Sequence, residues 1–241
     1  MKYALITGAT KGIGRAVAED LLAAGYFVIL NYANDDASAN LMLQELDATY
    51  PTKICLLKHD VSKVDGIKSF KEKIVAITNR LDVLIFNTGK TDRASLGEVT
   101  YEKWKDVFDT NLTVPFFTIQ ELLSMIAKGG SILFTGSSMG RYPHSFSISY
   151  GVSKAAVHAL VENLVKFLSP HQIRVNAVVP GFVDTEWQKS KPAELRERIE
   201  SKIALNRFCS PAEVSQACLF LINNTYMNGA LLNIDGGYNF K

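Results

Sequence analysis

The sequence predicts one α/β domain built on a doubly wound, parallel sheet. Short apolar runs of β character alternate with longer helical patterns along all 241 residues. These runs are apolar at nearly every position, not at every second one, as in strands covered by helices on both faces. A hydrophobic share of 47% supports a sizeable single core, and no Pro/Gly/Ser-rich linker, low-complexity tract or internal repeat divides the chain.

The first strand is read over residues 3–7 (YALIT) and runs into a glycine-bearing turn. The second (27–32, FVILNY), third (53–58, KICLLK) and fourth (82–87, DVLIFN) follow at the spacing of repeated βαβ units. A long helical stretch, 103–127, leads to a fifth strand at 131–136 (SILFTG), and a second such stretch covers 151–168. Strands at 174–179 (RVNAVV) and 230–234 (ALLNI) bring the number to about seven, with helices on both faces. Between those last two, residues 184–210 are charged and irregular, the composition of a lid over a site or of a solvated connection.

Bulk properties exclude several functions. Lys+Arg 26 against Asp+Glu 24 is nearly balanced, and no run of five or six basic residues marks a nucleic-acid footprint. Cys55, Cys209 and Cys218 are odd in number and scattered, which argues for a reducing compartment and against a disulfide framework. No C-x-x-C or Cys/His cluster suggests a metal. The apolar run at the N-terminus is too short for a signal-peptide core, and no segment reaches the length of a membrane span, so the cytoplasm is the expected address.

Two motifs point to chemistry. TGATKGIG places Gly8, Gly12 and Gly14 across the turn from the first strand into a helix, where absent side chains let backbone amides and the positive helix end approach a pyrophosphate. In ISYGVSKAAVHALV, Tyr150 precedes Lys154 by four positions, so both lie on one helix face. On a dry face the ammonium favours phenolate and lowers the tyrosine pKa from about 10 towards a proton-shuttling range. A tight turn without ligand and a solvated Tyr/Lys pair are the plain structural alternatives.

Together the G-x-x-x-G-x-G turn and the Y-x-x-x-K pair resemble the short-chain dehydrogenase/reductase family, whose fold is a single Rossmann-type domain, and the resemblance covers nearly the whole chain. HDV (59–61), NLT (111–113), NAVVPGFVDT (176–185) and NIDGGY (233–238) match family segments in order and spacing. The resemblance implies a catalytic set of Asn111, Ser137, Tyr150 and Lys154; Ser137, thirteen residues before Tyr150, is preferred to Ser138. It implies cofactor contacts from Gly8, Thr10, Lys11, Gly12, Ile13 and Gly14, from Asn31 and Tyr32, and from Asp60, Val61, Asn87 and Gly89. Pro180, Gly181, Val183 and Thr185 would lie beside the nicotinamide, with Tyr150 and Lys154 on its ribose. In the implied mechanism Tyr150 protonates a developing alkoxide, Lys154 lowers its pKa, Ser137 holds the carbonyl, and Asn111 positions a water.

A carboxylate at the end of the second strand would accept from a ribose 2′-hydroxyl and repel a 2′-phosphate. Tyr32 stands there instead, and with Lys11 beside the turn this favours NADP(H), provided Asp35 and Asp36 do not turn inward. Phe86 and Thr88 depart from the family's N-N-A-G at the end of the fourth strand, and the loop 141–149, with Tyr142 and Phe146, is bulky. Within the family the likeness is to 3-oxoacyl-[acyl-carrier-protein] reductases, which implies a 3-oxoacyl thioester substrate, a role in fatty acid or polyketide biosynthesis and a possible acyl carrier protein partner. Lys128 and His171 match the carrier-attracting positions. An alcohol, sugar or steroid dehydrogenase, and a non-catalytic dinucleotide-binding sensor, are the competing readings. The broad apolar surface of segments 103–127 and 151–168 matches helices that build a homotetramer in the family. The substrate wall is expected from residues 139–149 and 182–205.

Overall fold

Seven parallel strands in the order β3-β2-β1-β4-β5-β6-β7 form the centre of the computed structural model, which describes residues 1–142 and 147–240. The strands are β1 (Tyr3–Thr7), β2 (Phe27–Tyr32), β3 (Ile54–Lys58), β4 (Leu81–Phe86), β5 (Ile126–Thr135), β6 (Arg174–Pro180) and β7 (Leu231–Ile234). The helices are α1 (Gly12–Ala23), α2 (Asp36–Asp47), α3 (Ile67–Val75), α4 (Tyr101–Phe108), α5 (Val114–Leu122), α6 (Ile148–Leu168), α7 (Glu186–Lys189), α8 (Ala193–Glu200) and α9 (Pro211–Asn223).

Successive residues of a strand point to opposite faces, so an uninterrupted apolar strand needs two cores. β1 shows the division. Ala4 and Ile6 pack with Val17, Leu21, Met42 and Cys218 from α1, α2 and α9, whereas Leu5 packs with Phe70, Ile74, Val157 and Val161 from α3 and α6. That is why the strands carry no polar alternation. A third, small cluster of Phe182, Ile199, Ile203 and Phe208 gives the charged segment after β6 its own apolar anchor.

Strand order reverses between β1 and β4, and connections leave that point towards opposite faces, opening a crevice at the carboxyl ends of the strands. All seven strands fall where the sequence places them; β5 alone begins earlier, at Ile126, which pairs with Leu81. Gly129, with φ +79°, and the adjacent register shift explain the missing signal: the strand starts before its apolar run does. Among the described residues no helix is long and apolar enough to cross a membrane. Pro143 to Phe146, the middle of the expected bulky loop, lie outside the described residues.

Candidate active site

The glycine turn is held from below. Thr7 Oγ1 accepts from the backbone N–H groups of Asn87 (3.0 Å) and Thr88 (3.1 Å), tying the ends of β1 and β4 together. Gly8 and Gly12 take φ +63° and +52°, conformations that glycine adopts at no steric cost. A Cβ on Gly14 would lie 2.3 Å from the Gly8 carbonyl oxygen. Above this turn the N-terminus of α1 has no side-chain cap and no acidic residue in its first turn, so its positive end is open to an anion. Buried Thr10 and half-buried Ile13 complete the turn. Asn87 serves it structurally: Nδ2 donates to the Gly8 carbonyl (2.8 Å), while Oδ1 accepts from Thr135 Oγ1 (3.2 Å). These residues fit a dinucleotide, and the fit rests on backbone geometry that only glycine allows.

β2 ends at Tyr32, as expected, and the two carboxylates just beyond it stay at the surface, each paired with a lysine. Asp35 pairs with Lys11 beside the glycine turn, and Asp36 accepts from the Tyr32 phenol (3.0 Å) and from Lys58 (2.6 Å). The cause is local: Asp35 caps α2 through the Ser38 amide, and this brings its second oxygen within reach of Lys11. Lys11 and Ser38 together hold the Asp35 carboxyl down at about 2. Asn31 is buried and donates to the Leu57 and His59 carbonyls, but its Oδ1 has no partner among the described residues. Asp60 caps the loop after β3 through Ser62 N–H (3.0 Å), and Val61 lines a small recess with Phe86 and Thr88. Phe86 is core, stacked on Phe134 with centroids 4.9 Å apart, and Thr88 presses on the glycine turn, where a Cβ on Gly8 would meet its Oγ1 at 2.9 Å.

The catalytic candidates converge from three elements. Ser137 leaves β5 in extended conformation (φ −165°) and its Oγ accepts from Met139 N–H (3.2 Å). Tyr150 stands in the first turn of α6, its backbone N–H capped by Ser147, with the Ser137 hydroxyl near its phenol on the same cleft wall. Lys154, one turn on, is 5% exposed and donates to the Thr135 carbonyl at 2.6 Å. Its Nζ lies 5.7 Å from the Tyr150 ring centroid. Burial pushes the Tyr150 phenol up, opposed by the Ser137 hydroxyl, and burial pulls Lys154 down to about 8. The expectation that Lys154 lowers the tyrosine is therefore corrected: the ammonium stands 5.7 Å from the ring centre with one of its three donors on Thr135, and desolvation decides both shifts.

Asn111 occupies a π-helical segment, Asp109–Thr113, between α4 and α5. Its Nδ2 donates to the Lys90 carbonyl and to Ser153 Oγ, both at 2.9 Å, and its Oδ1 accepts from Lys90 N–H at 2.8 Å. Both amide protons are thus used in tying the loop after β4 to α6.

Tyr150, Lys154 and Ser137 line one cleft of about 560 Å³ together with Lys11, Gly12, Ile13, Asn87, Gly89, Pro180, Gly181, Val183 and Thr185. Ser138 is buried and does not line it, whereas Asn31, Tyr32, Asp60 and Val61 lie outside, towards the β2 and β3 ends. The segment after β6 roofs the cleft through Trp187, Leu195 and Ile199, and the Trp187 and Tyr150 rings meet edge to face at 6.0 Å. Lys128 and His171 are not at this entrance. Lys128 stands near the start of β5 and His171 just beyond the end of α6, joined through Gly129 N–H to the Gln172 carbonyl, at the opposite end of the sheet. Sequence reasoning missed His158. It is 5% exposed, and its Nε2 accepts from the Ser137 N–H at 3.4 Å. Burial, with Arg141 and Lys154 nearby, lowers its pKa to about 4, so it is neutral. The i, i+4 step from Tyr150 to Lys154, repeated once, reaches it.

A glycine turn at the switch point of a doubly wound sheet, facing a buried Tyr/Lys/Ser constellation, defines an oxidoreductase built on a dinucleotide fold. A family model described as enoyl-(acyl carrier protein) reductase matches residues 8–239. The chain is 36% identical over 242 residues to the 3-oxoacyl-[acyl-carrier-protein] reductase FabG of Thermotoga maritima, covering 98% of this chain and 97% of that one. It is 32% identical over 242 residues to the uncharacterized oxidoreductase YmfI of Bacillus subtilis, covering 98% of both. A Burkholderia cenocepacia short chain dehydrogenase solved in complex with NADP superposes with a TM-score of 0.92 at 26% identity, over 99% of this chain and 98% of that one. The chain belongs to the short-chain dehydrogenase/reductase family.

Proposed function

We propose that the protein is an NADP(H)-dependent carbonyl reductase that converts a 3-oxoacyl thioester to the 3-hydroxyacyl product. The observation that carries this is the placing of Ser137, Tyr150 and Lys154 on the wall of the same cleft that Gly12 of the glycine turn lines. The name of the Thermotoga relative and the NADP bound to the Burkholderia neighbour support the substrate and the cofactor. Lys11 lines the cleft beside the turn, and its exposed pair with Asp35 exchanges readily for a 2′-phosphate because water screens both charges.

A nicotinamide held beside Pro180, Gly181, Val183 and Thr185 would supply hydride to the carbonyl carbon. Ser137 Oγ hydrogen-bonds the carbonyl oxygen, and Tyr150, whose raised pKa keeps it protonated at neutral pH, donates its proton as negative charge develops there. Lys154, its reach fixed by the Thr135 carbonyl, would hold the ribose hydroxyls with its remaining donors. Trp187 and the roof helices exclude water from the reacting carbon.

The shallow apolar groove lined by Leu112, Phe116, Phe117, Ala156, Ala159 and Leu160, between α5 and α6, supports self-association through those helices, and we read the enzyme as a homotetramer. An acyl carrier protein is the partner this reading entails. With free Cys55, Cys209 and Cys218, the reading is of a cytoplasmic enzyme. The test is the loss of nicotinamide absorbance with NADPH, and separately NADH, on an acetoacetyl thioester. NADPH turnover is expected; no turnover on any thioester despite tight NADPH binding rejects the substrate.

A further inference from the structure

The roof of the cleft sorts its charges. Along α8 and its continuation, Leu195, Arg198, Ile199 and Lys202 line the cleft, spaced i, i+3, i+4, i+7, while Glu194, Glu197 and Glu200 do not. One helix face therefore turns Leu195 and Ile199 to the cleft and sets the exposed Arg198 and Lys202 at its mouth, while the three glutamates stand off that face. Lys191, just before α8, and Arg93, from the loop after β4, line the same cleft. Among the described residues none of these four cations belongs to an ion pair.

Two carboxylates of the segment after β6 are already paired. Glu186, on the cleft wall, pairs with Lys189 at 2.6 Å, and Asp184 pairs with Arg196 at 3.0 Å. Lys191 is partly buried, and burial together with the facing Arg93 holds its pKa below the usual lysine value. Like charges left facing each other in a partly desolvated mouth repel, and an arriving anion relieves that repulsion.

Building on the thioester-reductase reading, we propose that Arg93, Lys191, Arg198 and Lys202 form a phosphate-binding mouth that grips the phosphorylated arm of a pantetheine thioester while its ketone reaches Tyr150. Guanidinium and ammonium groups bind phosphate oxygens by charge-assisted hydrogen bonds, and several cations suit a group that carries up to two charges. Coenzyme A and an acyl carrier protein both deliver this phosphate. The mouth reads the phosphate, and a carrier would add its own protein surface.

The test compares acetoacetyl-pantetheine, which lacks the phosphate, with acetoacetyl-4′-phosphopantetheine, acetoacetyl-coenzyme A and acetoacetyl-carrier protein. It uses the NADPH-saturated wild type and the Arg93→Gln/Lys191→Gln and Arg198→Gln/Lys202→Gln variants. The expected result is a kcat/KM ratio, phosphorylated over unphosphorylated, of roughly 10 to 100 in the wild type, falling towards unity in each double variant. A further gain on the carrier-bound substrate alone identifies the carrier as the source; equal rates with coenzyme A identify the phosphate as sufficient. Calorimetric binding of 4′-phosphopantetheine against pantetheine to the cofactor-loaded protein reads the mouth without turnover. Equal binding of the two, or variants that raise KM for NADPH while keeping the substrate ratio, overturns the proposal. Preferential binding of the phosphorylated arm with no thioester turnover sustains the mouth and rejects the reductase reading.

Discussion

Lys154 places its ammonium 5.7 Å from the centre of the Tyr150 ring and donates to the Thr135 carbonyl at 2.6 Å. In the proposed reaction the pair divides its labour, with Tyr150 and Ser137 serving the carbonyl and Lys154 the nucleotide. Tyr150→Phe removes the proton donor without removing the ring. We expect kcat to fall by about 10²- to 10⁴-fold with NADPH affinity little changed, measured by steady-state turnover and by fluorescence titration of NADPH. Wild-type turnover in this variant would reject Tyr150 as the acid.

Lys154 is also a stability liability in the cofactor-free protein. Its folded pKa is depressed to about 8 from 10.5, so the unfolded chain binds the extra proton between those values. The penalty is full below about pH 8, fades as pH rises towards 10.5, and corresponds to about 3 kcal/mol at most. Lys154→Met should therefore be more stable than wild type in urea at pH 7, and the difference should shrink by pH 10. A difference that does not change with pH would exclude desolvation of this ammonium as its source.

His158 accepts the Ser137 N–H from beneath, in a space where a Cβ on Gly136 or Gly140 would come within 2.6 and 2.9 Å of its ring. His158→Leu leaves that amide unpaired and frees the serine to move. We expect kcat to drop about 10- to 100-fold with KM for NADPH nearly unchanged, and His158→Gln, which restores an acceptor, to recover part of it. Loss of NADPH binding in step with kcat would assign His158 a purely structural role.

Asp35 pairs with Lys11, the cation the proposed site would offer to a 2′-phosphate. Asp35→Asn removes the competitor and a repulsive charge together, so the ratio of kcat/KM for NADPH over NADH should rise several-fold and become more sensitive to salt. An unchanged ratio would place the 2′-phosphate away from this corner.

Gly14→Ala inserts a methyl 2.3 Å from the Gly8 carbonyl oxygen, and no rotamer relieves a Cβ. The turn must open, at a cost of about 1–3 kcal/mol or more, and NADPH binding should be lost in calorimetry even where the folded state survives.

Strand positions, the glycine turn and the Tyr150/Lys154 pair were all legible in the sequence because each rests on short-range rules: strand period, helix period and the φ > 0 allowance of glycine. The choice of Ser137 over Ser138 came from spacing along the chain, and in the structure Ser137 lines the cleft while Ser138 is buried. What the linear chain could not show were relations between distant segments. Asp35 reaching Lys11, Asn111 spending its amide on Lys90 and Ser153, and Lys128 and His171 standing at the far end of the sheet all depend on where elements lie in space. The directions of the Tyr150 and Lys154 pKa shifts belong to the same group. Sequence proximity suggests a charge–charge effect, but burial outweighs it, and burial is a property of the packed tertiary structure alone.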